Sequence, residues 1–157
     1  MDFEAYGLVL ATHSTLRWVA LGAGFVAAAA AWGSRMGSSS WADTVTGAGR
    51  TFAVTMDLQL VVGLVLYLAL SPTVASGLGN MSGAMADSQH RFWMVEHPVA
   101  MIVALVLAHV GVAKSRRRAG TDGHRQAAWY FTLAVLLVVA VLPWPFLDYG
   151  RPLMPSW

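Results

Sequence analysis

His13 and His97 each stand a few residues into a long apolar run, and each is followed one helical turn later by a residue that could serve a ligand. Arg17 follows His13, and Met101 follows His97. Residues four apart share a helix face. Two imidazoles on separate helices can clamp a metal from opposite sides, and a bis-imidazole haem needs this arrangement. Arg17 could then meet a propionate or pair with a carboxylate, as guanidinium groups do in charge-assisted bonds. The same residues also have a plainer use. A histidine inside apolar helices can bond a neighbouring carbonyl or hydroxyl, and Thr12 and Ser14 are at hand. Pro98 follows His97, so His97 could simply be a helix-start residue.

A second constellation is Asp57 with His109, where a carboxylate and an imidazole could pass protons or act as a static clasp between helices. Gln59 and Thr55 could extend either version. A third is the set His90, Met94, His97 and Met101, whose thioether and imidazole donors suit copper(I). Methionine is also a common filler of apolar surface. His90 and His124 read as exposed loop residues. The chain has no cysteine, which excludes disulfides and thiolate chemistry. No phosphate-binding glycine loop, nucleophile elbow or zinc-hydrolase motif is present. The sequence therefore leaves open whether the chain is an enzyme.

The elements that would position these residues are membrane helices. Of the 157 residues, 57% are hydrophobic and 11% charged, against roughly 25% charged in soluble domains. Apolar runs of spanning length cover about 8–32, 52–70, 93–113 and 129–147, each near the roughly 20 residues a crossing requires. Backbone groups in lipid must be satisfied within the segment, so the runs are expected to be helices. The fold class expected is all-α, an integral membrane four-helix bundle, up-and-down, in one domain spanning the chain. Lys114, Arg116, Arg117, Arg118 and Arg125 lie between the last two runs, and Arg35 and Arg50 between the first two. The positive-inside rule then places both termini outside. The acidic start Met1-Asp2-Phe3-Glu4 lacks the basic character of a cleaved signal, so the first run is expected to remain as an anchor. The net charge of +2 gives no argument for nucleic acid.

This topology puts His13 and His97 at matched depth, roughly 6–8 Å below the outer edge at 1.5 Å per residue. Arg17 lies deeper, at roughly 14 Å, where a lone cation is costly. Its expected partner is Glu96, with Asp57 nearer the inner side. Ala100, Ala104 and Ala108, with Gly22 and Gly24, lighten the helix faces and would allow close approach or leave room for a flat cofactor. His109 falls near the inner side, so the histidines allow one bis-histidine haem and not two. The stretch 34–49 is rich in Gly and Ser and reads as a flexible loop. The stretch 71–89 reads as an outer loop with a short helix around 83–89. Pro143 and Pro145 prevent the last helix from continuing into the tail, whose aromatics suit the outer interface.

Several segments carry a resemblance. They are Thr12-His13-Ser14-Thr15-Leu16-Arg17-Trp18, Asp57-Leu58-Gln59-Leu60, Arg91-Phe92 with Val95-Glu96-His97-Pro98, and Pro143-Trp144-Pro145 with Arg151-Pro152. In this order the chain resembles the small bacterial four-helix membrane proteins often labelled cytochrome b-like. The resemblance implies His13 and His97 as the membrane histidines, with Arg17, Asp57, Gln59, Arg91 and Glu96 as polar companions. The expectation is a redox subunit of the bacterial inner membrane, holding one haem b near the outer face and exchanging electrons with a quinol or a periplasmic partner. The alternatives are a non-catalytic subunit of a larger membrane complex, and copper binding or transfer through the outer Met/His cluster. Homo-oligomerisation is compatible with all three.

Overall fold

The computed structural model describes residues 3–35, 41–117 and 121–154, and they are all-α with no strand among them. Helix α1 runs over Phe3–Arg35, α2 over Ala42–Val65, α3 over Pro72–Gly79, α4 over Met81–Ala86, α5 over Ser88–Arg91, α6 over His97–Arg117 and α7 over Thr121–Ala140. Two π-helical turns extend this framework. Leu66–Leu70 continues α2, and Phe92–Glu96 leads into α6. Among the described residues, three continuous helical stretches are long and apolar enough to cross a membrane: Glu4–Ser34, Ala42–Leu70 and Ser88–Arg116.

The threonines inside these helices find their partners locally. Thr12 and Thr15 in α1 return their hydroxyls to the carbonyls of Leu8 and Ala11 at 2.9 Å. Thr46, Thr51 and Thr55 in α2 do the same to Ala42, Gly47 and Thr51. These side chains are satisfied within their own helix and need no neighbour.

The first three runs are longer as helices than hydropathy alone indicates. Helix α2 starts at Ala42, inside the stretch expected to be a loop, while residues 36–40 of that stretch lie outside the described residues. Gly49 is tolerated there because it supplies a contact: a side chain at Gly49, or at Gly111 on α6, would overlap the Phe131 ring. The fourth run is displaced. Helix α7 begins at Thr121 and ends at Ala140 rather than covering 129–147, since Pro143 and Pro145 stop it. Its first turns carry Asp122, His124 and Arg125, and it is not among the stretches apolar enough to span. The stretch 71–89 is helical nearly throughout, with Ser71, Asn80 and Asp87 capping α3, α4 and α5 through their side chains. Such caps satisfy otherwise unpaired N–H groups at each start.

Helix α1 packs against α2 and α7, and α6 packs against α7 and α2. The contact surfaces are built from small residues. Ala27, Ala30, Ala31, Ala104, Ala108, Ala127, Ala128 and Ala134 are fully buried. The large side chains among them are Phe52 and Phe131, edge-to-face at 6.4 Å. Many large apolar side chains point outward, among them Leu8, Val19, Phe25, Val61, Leu68 and Leu136. Small residues inside and large ones outside is the reverse of the usual water-soluble pattern.

Candidate functional site

At the end of the molecule where α1 begins and α6 starts, the helices part around a cavity of about 320 Å³. Helix α1 contributes His13, Ser14 and Arg17, and α2 contributes Gln59 and Gly63. Tyr67 comes from the first π turn, Trp93 from the second, His97 and Met101 from α6, and Arg151 from the tail. A π turn holds an extra residue, which shifts the register of the side chains that follow it. Tyr67 Oη donates to the Met94 carbonyl at 3.0 Å and ties the two π turns together.

The two histidines share this cavity. Their ring centroids are 6.5 Å apart and the rings are steeply inclined at 69°. His97 Nδ1 lies 3.1 Å from the Val141 carbonyl. A carbonyl only accepts, so Nδ1 carries the proton and Nε2 of the neutral ring is left with its lone pair. His13 Nδ1 is buried with no partner among the described residues. Its ring lies over Gly63, where any side chain would press on it. Gln59 Oε1 and Arg17 Nε, on the same cavity wall, are also buried and unpartnered. Buried polar atoms are nearly always satisfied, so three orphans on residues that line one cavity single it out as a place where polar partners are wanting.

The wall is cationic. Arg17 and Arg151 line it, and among the described residues no carboxylate does. Arg17 donates through Nη2 to the Leu153 carbonyl at 2.6 Å, and Trp18 Nε1 donates to the same oxygen at 3.1 Å. This corrects the expected partner. Glu96 does not meet Arg17, because it bonds Arg91 Nε at 2.8 Å across the second π turn. Arg17 instead finds a backbone acceptor in the tail. That tail is folded back: Arg151 N donates to the Pro143 carbonyl at 3.0 Å, Tyr149 stacks on Phe92 at 3.8 Å, and the Arg151 guanidinium sits 4.0 Å from the Trp93 ring centre.

The other candidates fall elsewhere. His109 Nε2 lies 2.9 Å from Asp57 Oδ1, and both side chains are about half exposed, at 50% and 48%. Gln59 and Thr55 do not extend this pair. Gln59 faces the cavity, and Thr55 is buried and bonded to Thr51. Residues two apart on a helix point about 200° apart, so Asp57 and Gln59 could have been separated by spacing alone. His90 bonds Asp87 Oδ1 at 3.0 Å and Ser76 at 3.1 Å. Hydrogen bonds from the His90 side chain and backbone N–H hold the Asp87 carboxyl below its usual range. His124 is buried, not exposed as expected, and bonds Ser34. Of the copper set, His90 and Met94 lie against Gly77, while His97 and Met101 line the cavity. Among the described residues no group of three or more His, Asp or Glu side chains could hold a metal together. Sequence reasoning missed Arg151 as a cavity residue and the two backbone acceptors, Val141 and Leu153. The aromatic and Pro-rich tail was the one available signal.

No protein-family model, curated protein or solved structure matches the chain.

Proposed function

We propose that this chain is an up-and-down four-helix bundle of the bacterial inner membrane, with both termini outside, that holds one b-type haem at its outer end. It would exchange electrons with a quinol or a periplasmic partner. The observation that carries this reading is the convergence of His13 and His97, from α1 and α6, on one cavity that Arg17 and Arg151 also line.

The residues fit such a group. His13 and His97 would hold the metal, their rings 6.5 Å apart in one cavity. Metal-binding histidines commonly donate their other N–H to a carbonyl, which fixes tautomer and ring orientation. His97 does so to Val141. Two cations suit two propionates, and Leu60, Ile102, Leu105 and Val138 supply apolar wall beside them. When bound, the haem supplies one-electron transfer. The chain's own part is to orient two imidazoles, offer positive charge at one rim and keep water out with Trp93 and the folded tail.

Membrane insertion is supported by the small-inside, large-outside packing, since association in lipid depends on close helix approach rather than on burying large apolar groups. The orientation is supported by the basic residues gathered at the end opposite the cavity, from Arg50 on α2 to Lys114 and Arg116 on α6. The test is absorbance. Protein expressed with ample haem and purified in detergent should show a Soret band that shifts on reduction. A preparation that is folded and colourless would overturn the haem reading.

A further inference from the structure

The Asp57–His109 pair plays no part in the cavity, and its placement is costly. Asp57 sits in the middle of the spanning stretch Ala42–Leu70, and His109 in the inner half of Ser88–Arg116. Both side chains are half exposed on the outer surface of the α2–α6 contact. Their surroundings are apolar and outward-facing: Val54 and Leu58 on α2, Ile102 and Val106 on α6. Ionisable groups within spanning helices almost always face the bundle interior or a water-filled space. A pair facing outward in the middle of an apolar surface therefore calls for a cover that lipid cannot provide.

We propose that this face is the contact between two copies of the chain, packed about a two-fold axis along the membrane normal. This inference rests on the membrane reading above but not on the haem. Two observations select a second copy as the occupant. The first is self-complementarity. His109 Nε2 donates to Asp57 Oδ1, and no other bond involves His109 among the described residues. Each copy thus presents one unused ring nitrogen and one unused carboxylate oxygen. A two-fold axis keeps residues of equal depth opposite one another, so His109 Nδ1 of each copy meets Asp57 Oδ2 of the other. The pair then has hydrogen-bonding partners on both sides, the condition under which buried polar groups are tolerated. The second is the stripe on α6. Val99, Ile102, Val106 and His109 are outward-facing and follow one another at the three- and four-residue spacing of a helix–helix seam. A parallel pairing of α6 with itself in register is what the symmetry axis supplies, and it sets a polar residue into an otherwise apolar seam, a device that fixes register.

The chain has no cysteine, so single cysteines can be read without background. Val106→Cys on the proposed seam and Leu136→Cys on an outward face of α7 are each placed in the otherwise native chain. Both are oxidised in membranes, alongside carbonate extraction to score insertion. The expected result is a crosslinked species of twice the chain mass from Val106→Cys and little from Leu136→Cys. Adding Asp57→Asn to Val106→Cys should lower the crosslinked fraction several-fold while the protein stays in the membrane. Equal crosslinking from both positions, none from Val106→Cys, an adduct of any other mass, or a fraction indifferent to Asp57→Asn would overturn the proposal. Release by carbonate would overturn the membrane reading on which it rests, and a retained but uncrosslinked protein would overturn the dimer alone.

Discussion

The cavity end and the outer α2–α6 face use the same residue type in opposite ways. His97 is held by a backbone carbonyl, shares its space with His13 and lies among buried groups that lack partners. His109 is held by a carboxylate and stands half exposed on the surface of the molecule. The first arrangement has unsatisfied atoms inside and so asks for a small ligand. The second turns its pair outward, with one ring nitrogen and one carboxylate oxygen left over, toward the proposed protein contact. On the membrane reading, an ionisable residue in a helix of spanning length leans toward function in both cases. What it is near, and which way it faces, decides what kind of partner it needs.

The largest separation between the two regions should appear in haem retention. His97→Ala is expected to abolish the Soret band of the purified protein, while His109→Ala leaves it intact. Equal loss in both variants would mean that the band reports general folding and not the cavity. A shared mechanical basis is tested next. Phe131 is fully buried against Gly49 and Gly111, between the helices that carry both regions. Phe131→Ala should cost about 3–5 kcal/mol, read as thermal unfolding in detergent, and should weaken haem retention and dimer crosslinking together.

Arg17→Leu addresses the cavity end alone. It removes a bond of charged type to the Leu153 carbonyl, of the kind that contributes about 1.5–3 kcal/mol. Residues 143–154 should become the first site of limited proteolysis, with the α2–α6 face unaffected. An unchanged cleavage pattern would show that the tail is held by Tyr149 and Arg151 without Arg17. Asp57→Asn addresses the other region and should be milder within one copy. Interhelical polar bonds in membrane bundles average about 0.6 kcal/mol and reach about 1.7, so the melting temperature at low protein concentration should fall only slightly. A large fall there would place the pair in the folding core of the single chain.

The smallest expected effect lies outside the spans. The Asp87 carboxyl is held below its usual value mainly by hydrogen bonds from the His90 side chain and backbone. A group whose pKa is depressed by folding stabilises the fold above its unfolded value, near 3.9, and that contribution is lost as the pH falls through the folded value. The His90 amide should therefore exchange faster only below about pH 4, while haem absorbance and crosslinking hold through the range just above it.

Much of the architecture was legible because it depends on composition and spacing. The apolar runs, the absence of cysteine and the positions of Pro143 and Pro145 determined an all-α chain with helices of spanning length and a final helix that must stop. The three- and four-residue periods also placed Arg17 with His13 and Met101 with His97. Other features depended on atoms that a sequence does not display. Arg17 binds the Leu153 carbonyl and His97 the Val141 carbonyl, and every residue except proline carries the same backbone groups, so no residue type announces such a partner. The helical start of α2 at Ala42 and the burial of His124 against Ser34 came from packing that overrides local Gly and Ser preference. The direction in which Asp57 and His109 face was likewise decided only in the fold. Hydropathy counts how many polar groups a helix carries, whereas exposure depends on which neighbours the helices choose.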